Sequence, residues 1–378
     1  MISYHALGPH KRLSEIVFAG SHDASITSGA KNVQTQDLNI MEQAKSGVRI
    51  FDMRILARRV GSGATLVGYH GRKSKSGAGK QDFVYKGTGT AFPKTKTISK
   101  MSPIGGGFGE RLVTMLQQAR KFVTEVAGSE FLIFKFDKCS NHAVIAEECI
   151  NILGPAIYKP EGELAKRTLD DLKGKVICVF SEDGLKEITD YGADDGILGF
   201  RSLNSKDSSP KPYDPNYPGL QYIGKGGTSP WNVFSDHTAK AKENFKRQAK
   251  ILGKMQQMED AAAGDVLGMM YWTSTGMKQS ILKRNDSMWT PTGVRRMREL
   301  WEGALENAIN VQVHNDRAKC LDFGGVRRIK AFIPNIIMID FADPDKCQTI
   351  YDLNHAADTR MAAAIDEWYE LRQPPRAS

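Results

Sequence analysis

Three short polar clusters stand where apolar, β-type runs of the sequence end. His22 and Asp23 follow the first run, Asp52 and Arg54 end the second, and His70 ends the third. Attack of a hydroxyl on a phosphodiester needs a base for the nucleophile, an acid for the leaving oxygen and positive charge for the phosphoryl oxygens. Histidine serves as acid or base near neutral pH, and guanidinium matches phosphoryl oxygens. We therefore predict that His22 and His70 form a proton-transfer pair, with Arg54 as a fixed positive charge between them.

The elements that would position these clusters form an alternating series. Apolar runs of β type occupy Ile16–Ala19, Val48–Ile55, Thr65–Tyr69, Phe131–Phe136, Val176–Phe180, Leu220–Ile223, Val266–Trp272 and Asn335–Phe341. Helical patterns occupy Asp37–Ser46, Glu110–Ala127, Ala143–Leu153, Thr238–Gln257, Thr292–Asn307 and Thr349–Leu371. This alternation predicts a parallel sheet, and eight strands fit a closed α/β barrel better than a doubly wound open sheet. A barrel would bring the three polar clusters to one mouth, because the carboxyl ends of its strands meet there.

Two segments interrupt the alternation. Residues 72–107 are rich in Lys, Gly and Thr, and predict a long basic loop after the third strand. Residues 204–230 are rich in Ser, Pro, Gly and Tyr, and predict an irregular excursion around the sixth strand. Because we find no internal repeat and no domain linker, we predict a single barrel domain over residues 1–378 that carries both insertions.

The composition is that of a folded protein with a sizeable core, since 40% of the residues are hydrophobic and 25% are charged. The formal charge of +9 favours anionic partners. Charge alone does not separate nucleic acid, an acidic membrane surface and a phosphorylated substrate. Basic and aromatic residues do not interleave in the way that single-stranded nucleic acids require, so we expect no nucleic-acid partner.

The start of the sequence lacks the pattern of a secretory signal, and no run approaches the roughly 20 apolar residues of a membrane span. We expect a cytoplasmic protein, or one exported without an N-terminal signal peptide as some secreted effectors are. The five cysteines are widely spaced and include no Cys-x-x-Cys pair. They are therefore interpreted as reduced, mostly buried thiols rather than zinc ligands.

Three segments of the sequence resemble a known family. Gly-Ser-His-Asp-Ala at 20–24, Gly-Val-Arg-Ile-Phe-Asp-Met-Arg at 47–54 and Tyr-His-Gly at 69–71 are similar to the X-region of phosphatidylinositol-specific phospholipases C. The metal-independent bacterial branch of this family is the most similar. Looser resemblance continues at 130–135 and 335–341. The resemblance implies a distorted TIM-type (β/α)8 barrel and a phospholipase C-like phosphodiesterase.

The resemblance also implies the roles of the two histidines. His22 would deprotonate the attacking hydroxyl, and His70 would protonate the leaving diacylglycerol oxygen. Arg54 stands where the bacterial enzymes hold an arginine and the animal enzymes hold calcium ligands. The resemblance thus predicts catalysis without a metal or any other cofactor.

Further residues take supporting roles by the same resemblance. Asp52 would position Arg54 and the substrate hydroxyl, and Asp23 would support His70. Asp340, at the end of the last strand, would orient His22. Predicted substrate contacts are Lys135, which adds charge near the phosphate, and Tyr271 and Trp272, which end the seventh strand.

The headgroup pocket departs from the family pattern. Where the bacterial enzymes place an arginine that contacts inositol, this chain has Ser181, Glu182 and Asp183. Around residues 221–225, the aspartate and tyrosine that help to define the inositol pocket are not recognisable. The resemblance therefore leaves the headgroup open, and a different headgroup or a phosphorylated inositol lipid fits as well.

Two other functions remain open. The chain could be a phosphoinositide- or lipid-binding barrel without turnover. It could also be a metal-dependent enzyme of the glycerophosphodiesterase or sphingomyelinase type, although Arg54 stands where such a metal would bind. A phospholipid substrate implies that the protein acts peripherally on membranes. Four basic residues of the first insertion, namely Arg72, Lys73, Lys75 and Lys80, are predicted to dock it on anionic lipid.

Overall fold

The computed structural model describes residues 1–60, 63–71, 79–86, 91–98, 106–203, 213–225, 246, 266–273, 280–301 and 334–355. Its strands are β1 Phe18–Ser21, β2 Val48–Met53, β3 Ile55–Val60, β4 Gly63–His70, β5 Gly79–Lys86, β6 Ala91–Ile98, β7 Gly107–Arg111, β8 Phe131–Phe136, β9 Lys175–Phe180, β10 Ile197–Ser202, β11 Leu220–Lys225, β12 Leu267–Trp272 and β13 Pro334–Ile339. The α-helices are α1 Ile40–Ser46, α2 Leu112–Lys121, α3 His142–Leu153, α4 Leu169–Leu172, α5 Glu182–Glu187 and α6 Ile281–Met288. Residues 291–301 and 344–355 are helical as well. Short 3₁₀ turns occupy His5–Leu7, Leu13–Glu15, Gly154–Ala156, Leu164–Lys166 and Ala193–Asp195, and Phe122–Val126 extends α2 as a π-helical turn.

Eight strands close into a barrel in the order β1-β13-β12-β11-β10-β9-β8-β2. Every neighbouring pair in this ring is parallel. The predicted α/β barrel of the TIM type is thereby confirmed. All eight carboxyl ends lie at one mouth, which is where barrels of this architecture hold their functional residues.

The predicted number of barrel strands is right, but one member is wrong. The run Thr65–Tyr69 belongs to β4, which lies outside the barrel in a second sheet. The eighth strand of the barrel is instead β10, which is not among the predicted strands. Short apolar runs show that a strand exists, but the pattern carries no information about which sheet the strand joins.

The second sheet has the order β3-β4-β5-β6, and β7 also pairs with β4. β3 follows β2 after the single residue Arg54 and pairs antiparallel with β4. The basic loop predicted over residues 72–107 is wrong in part, because the segment contains the antiparallel pair β5–β6 and the start of β7. Lys94 and Lys96 alternate with Thr95 and Thr97 in β6, whereas Phe83, Val84 and Tyr85 are consecutive in β5, and the many lysines and glycines of the segment conceal both strands.

The second predicted insertion, residues 204–230, is described over residues 213–225, which include β11. Its Tyr217 packs against the outside of β10 at Gly199. A Cβ atom at Gly199 would lie only 2.0 Å from the Tyr217 hydroxyl oxygen. This contact therefore requires a glycine in β10.

The hydrophobic core has two layers. One cluster fills the barrel and includes Phe18, Ile50 and Ile133, while the other lies between the barrel and its helices. α2 shows how the outer layer forms, since its buried residues Leu112, Met115, Leu116 and Ala119 follow the i, i+3, i+4, i+7 spacing of one helical face.

The remaining predicted helices are described in part. Thr238–Gln257 lies outside the described residues except for residue 246. Of Thr292–Asn307, residues 292–301 are described, and they are helical. The helix predicted to begin at Thr349 begins at residue 344. In the part of the chain that the structure describes, no helix combines the length and the apolar character needed to cross a bilayer.

Candidate active site

Asp23 is the centre of the polar cluster at the barrel mouth. It follows β1 in a left-handed backbone conformation (φ 44°), and its side chain is fully buried. Its Oδ2 lies 2.8 Å from Nδ1 of His70 and 3.8 Å from Nε2 of His22. Its Oδ1 lies 2.6 Å from Nε of Arg54. One carboxylate thus brings together two imidazoles and a guanidinium from three separate segments of the chain.

His22 has a second carboxylate partner. β13 pairs with β1, and Asp340 directly follows β13. Its Oδ1 lies 2.9 Å from Nδ1 of His22, and Asp340 is fully buried. The ring of Tyr271 meets the His22 ring edge to face, with the two centroids 6.0 Å apart. The contact expected between Asp340 and His22 is therefore present, and it fixes the orientation of the imidazole.

His70 reaches the mouth from the second sheet rather than from a barrel strand. It ends β4, and Tyr69 N donates a hydrogen bond of 2.9 Å to Arg54 O at the junction of β2 and β3. The side chain of His70 is 19% exposed, that of Arg54 15% and that of His22 9%. The three groups assigned to chemistry are accessible from the mouth, whereas the carboxylates that hold them are not.

Lys135 and Asp52 form a second ion pair beside the first. They are register partners on the neighbouring strands β8 and β2, and Lys135 Nζ lies 2.9 Å from Asp52 Oδ1. Asp137 Oδ2 lies 3.4 Å from the same Nζ. Asp52 is predicted to position Arg54, but the carboxylate that contacts Arg54 is that of Asp23. Asp52 instead neutralises a lysine that lies fully inside the barrel.

Charge–charge interactions shift the ionisation of the cluster. Burial lowers the pKa of His22, but the charges of Asp23 and Asp340 outweigh it and raise the pKa to about 9. Burial favours the neutral acid at Asp23, but Arg54, His22 and His70 hold its pKa well below its usual range. Asp52 keeps the pKa of Lys135 well above its usual range despite burial. At neutral pH the resting site therefore holds an imidazolium at His22.

Three of these residues offer ligand atoms for a cation. One atom each from His22, Asp23 and Asp52 lies within 4.8 Å of the others, and no other such group occurs among the described residues. The two carboxylates, however, already bind Arg54 and Lys135. A metal ion would have to compete with two buried side-chain cations, so the donor set fits a metal poorly.

The two aromatic residues that end β12 point in opposite directions. Tyr271 belongs to the cluster inside the barrel, whereas Trp272 belongs to the cluster outside it. Trp272 is fully buried, and its Nε1 donates a hydrogen bond of 3.0 Å to Met288 O on α6. The substrate contact predicted for Trp272 is therefore wrong, because neighbouring residues of a strand face opposite sides of the sheet.

Two aromatic residues beside Lys135 are missing from the predicted site. Lys135 Nζ lies 4.5 Å from the ring centroid of Phe200 and 6.0 Å from that of Tyr222. Phe200 lies in β10, the barrel strand that sequence patterns miss. Inward alternation within that strand would have identified it.

Ser181, in the region where the family pattern is lost, caps α5 by accepting a hydrogen bond of 3.2 Å from Gly184 N.

No protein-family model matches the chain, and no curated protein matches it. Among solved structures, phosphatidylinositol-specific phospholipase C of Staphylococcus aureus aligns with a TM-score of 0.47 and 16% identity, over 92% of this chain and 95% of that one. The enzyme of the same name from Listeria monocytogenes gives 0.45 and 14%, over 92% and 96%. A calcium-dependent phosphoinositol-specific phospholipase C from Pseudomonas sp. gives 0.38 and 10%, over 74% and 88%. At these values we infer nothing about activity from the similarity.

Proposed function

We propose that this chain cleaves a phospholipid phosphodiester by acid–base catalysis, in the manner of a phospholipase C. The observation that carries this proposal is the triple contact of Asp23 with His70, Arg54 and His22. Cleavage of a phosphodiester requires a base and an acid at one site, which two imidazoles can supply, and positive charge for the phosphoryl oxygens. The cluster has all three groups within reach of one buried carboxylate.

Each group then has one task. His22, oriented by Asp340, takes the proton of the attacking hydroxyl on Nε2 in its neutral form, which must first form from the imidazolium of the resting site. Arg54, held at Nε by Asp23, keeps its terminal nitrogens for the phosphoryl oxygens. His70, held at Nδ1 by Asp23, gives a proton from Nε2 to the leaving diacylglycerol oxygen. Each carboxylate binds one nitrogen of its histidine, which fixes the tautomer and leaves Nε2 for the substrate.

Lys135 and the rings around it are proposed to contact the headgroup side of the phosphate. The ammonium is fully buried and already neutralised by Asp52, so it adds a directed donor rather than net charge. Phe200, Tyr222 and Tyr271 line the interior of the barrel beside it. We therefore expect substitutions at these residues to change which headgroup the protein selects.

The deciding experiment is an assay of the purified chain on a panel of phospholipids in the presence of a chelator. Diacylglycerol and the phosphorylated headgroup are measured together, and His70→Ala serves as the matched inactive variant. Release of both products by the parent alone supports the proposal. Binding without product would identify a lipid-binding barrel, and activity that returns only with added calcium or magnesium would identify a metal-dependent enzyme.

We further propose that the β5–β6 hairpin docks the protein on anionic membranes. Its two strands contain the aromatic residues Phe83, Tyr85 and Phe92 together with the lysines 80, 86, 94 and 96. Aromatic residues favour the membrane interface, and lysines favour anionic headgroups. Of the four basic residues predicted for this role, Lys80 lies in β5, whereas Arg72, Lys73 and Lys75 lie outside the described residues.

A further inference from the structure

Two buried residues between β1 and α1 contact the two backbone segments that carry His22 and Asp340. We call Thr35 and Gln36 the strap. Thr35 is 1% exposed and Gln36 is not exposed at all. Their backbone N–H groups donate to Ile26 O at 3.2 and 3.1 Å, which ties the strap to the chain just after β1.

The side chain of Gln36 binds both sides of the pair formed by His22 and Asp340. Its Nε2 donates to His22 O at 2.9 Å and to Ile339 O at 3.3 Å. Its Oε1 accepts a hydrogen bond of 2.9 Å from Ala342 N. The amide thus hydrogen-bonds the backbone of His22, and the backbone on both sides of Asp340.

Thr35 makes the corresponding contacts with the neighbouring residues. Its Oγ1 donates to Asp23 O at 2.9 Å, and its carbonyl oxygen accepts from Phe341 N at 2.7 Å. Asp23 and Phe341 have φ values of 44° and 48°, a region that residues with side chains seldom adopt. The strap therefore hydrogen-bonds the two unusual backbone positions next to His22 and Asp340.

We propose that Gln36 and Thr35 are positioning residues that hold the imidazole of His22 against the carboxylate of Asp340. Position 36 requires an amide, because the side chain must donate to two carbonyl oxygens and accept from one N–H. Glutamate would lose both donors, and methionine would keep the shape but lose all three bonds. For its effect on rate this inference rests on the proposed function, whereas the geometry of the pair is testable without substrate.

The test compares Gln36→Met with Gln34→Met in the substrate-free protein. Gln34 lies in the same loop, and within the described part of the chain its amide bonds Thr27 O, Gln36 O and Asp37 Oδ1 but no atom of residues 22–23 or 339–342. NMR titration of labelled histidine should show the pKa of His22 falling from about 9 in Gln36→Met and unchanged in Gln34→Met. If lipid cleavage is established, kcat of Gln36→Met should fall by up to about 10²-fold with little change in KM, since a small displacement of a catalytic group such as the His22 imidazole has an effect of that size.

A second comparison separates positioning from general stability. In an Asp340→Asn background, Gln36→Met should have little further effect on the His22 titration, because the partner charge is already gone. If Gln36→Met does not fold, Thr35→Val, which removes one hydroxyl bond, should give a smaller shift in the same direction. An unchanged titration in a folded Gln36→Met protein overturns the inference. A parent protein without turnover overturns the proposed function and leaves the titration result valid.

Discussion

The two ends of the barrel hold arginine–carboxylate pairs of opposite character. Arg49 is the second residue of β2 and pairs with Glu130 at 2.9 Å. Its other nitrogens donate to the carbonyl oxygens of Ala44, Val48 and Ile2. Glu130 also accepts from Ser3 Oγ and His5 N. Both side chains are almost completely buried. Each side-chain nitrogen and oxygen of this pair has a hydrogen-bond partner, and the pair lies at the amino-terminal end of the barrel.

Arg54, five residues later at the mouth, is bound differently. It meets Asp23 at 2.6 Å, yet 15% of its side chain is exposed. Among the described residues, the buried atoms Arg54 Nε, Asp23 Oδ1 and Asp340 Oδ2 have no hydrogen-bond partner, so the contact between Arg54 and Asp23 is an ion pair without a hydrogen bond. Buried polar atoms without partners cost stability and are uncommon in native proteins. We conclude that a buried arginine–carboxylate pair whose polar atoms all have partners stabilises the fold. A pair that leaves polar atoms without partners is instead suited to binding a substrate.

The largest effect should come from the histidines at the mouth. His22→Ala and His70→Ala should each reduce kcat by about 10²–10⁴-fold, because a general acid or base typically accelerates a reaction by a factor of that size. The double variant should lose much less than the product of the two losses, since the residues act as a unit. Activity on lipid and circular dichroism are measured together. Near-normal turnover in either folded variant would remove that residue from the mechanism.

The arginine pairs give the most direct comparison. Arg54→Met should lower kcat by about 10²–10³-fold with a modest loss of stability, because Asp23 keeps His70 as a partner. Arg49→Met should lower the free energy of unfolding by about 3–5 kcal/mol, because Glu130 is left buried without a cation.

Urea unfolding and turnover per folded molecule separate these outcomes. A larger loss of stability in Arg54→Met than in Arg49→Met would contradict the contrast between the two ends. Arg54→Lys should restore activity only in part, because an ammonium lacks the two-pronged geometry of guanidinium.

The pH dependence tests the role of His22. A general base must be neutral, and the pKa of His22 in the free protein is raised to about 9. The value of kcat/KM should therefore rise with pH up to that value. Asp340→Asn removes one of the charges that raise the pKa, so the rise should move to lower pH. A decrease of kcat/KM through the same range would instead make His22 the acid and His70 the base.

The smallest effect should come from the hairpin. Lys94→Gln with Lys96→Gln should weaken binding to acidic vesicles, since each basic residue contributes about 1 kcal/mol near such a surface. The loss should disappear at high salt, because the Debye length is about 3 Å at 1 M. Cleavage of a short-chain soluble substrate should stay unchanged. Equal vesicle binding by parent and variant at low salt would show that the hairpin does not dock the protein.

The sequence alone determined the fold class and the types of residue at the mouth. Apolar runs end at His22, Asp52 and Asp340, and a strand's end is a local property that alternation reveals. The same runs predict a barrel because eight of them alternate with helices. Local pattern also places Tyr271 and Trp272 on opposite faces, although it does not say which face is inside.

Only the tertiary structure decided which partners meet. His70 lies in the second sheet rather than in the barrel, and β10 rather than β4 is a barrel strand. Arg54 pairs with Asp23, whereas Asp52 pairs with Lys135. The tertiary structure also brought Gln36 to the backbone of Asp340's neighbours, more than three hundred residues away. Strand pairing and ion pairing depend on which distant segments come into register, and a period of two along one strand carries no information about its neighbour.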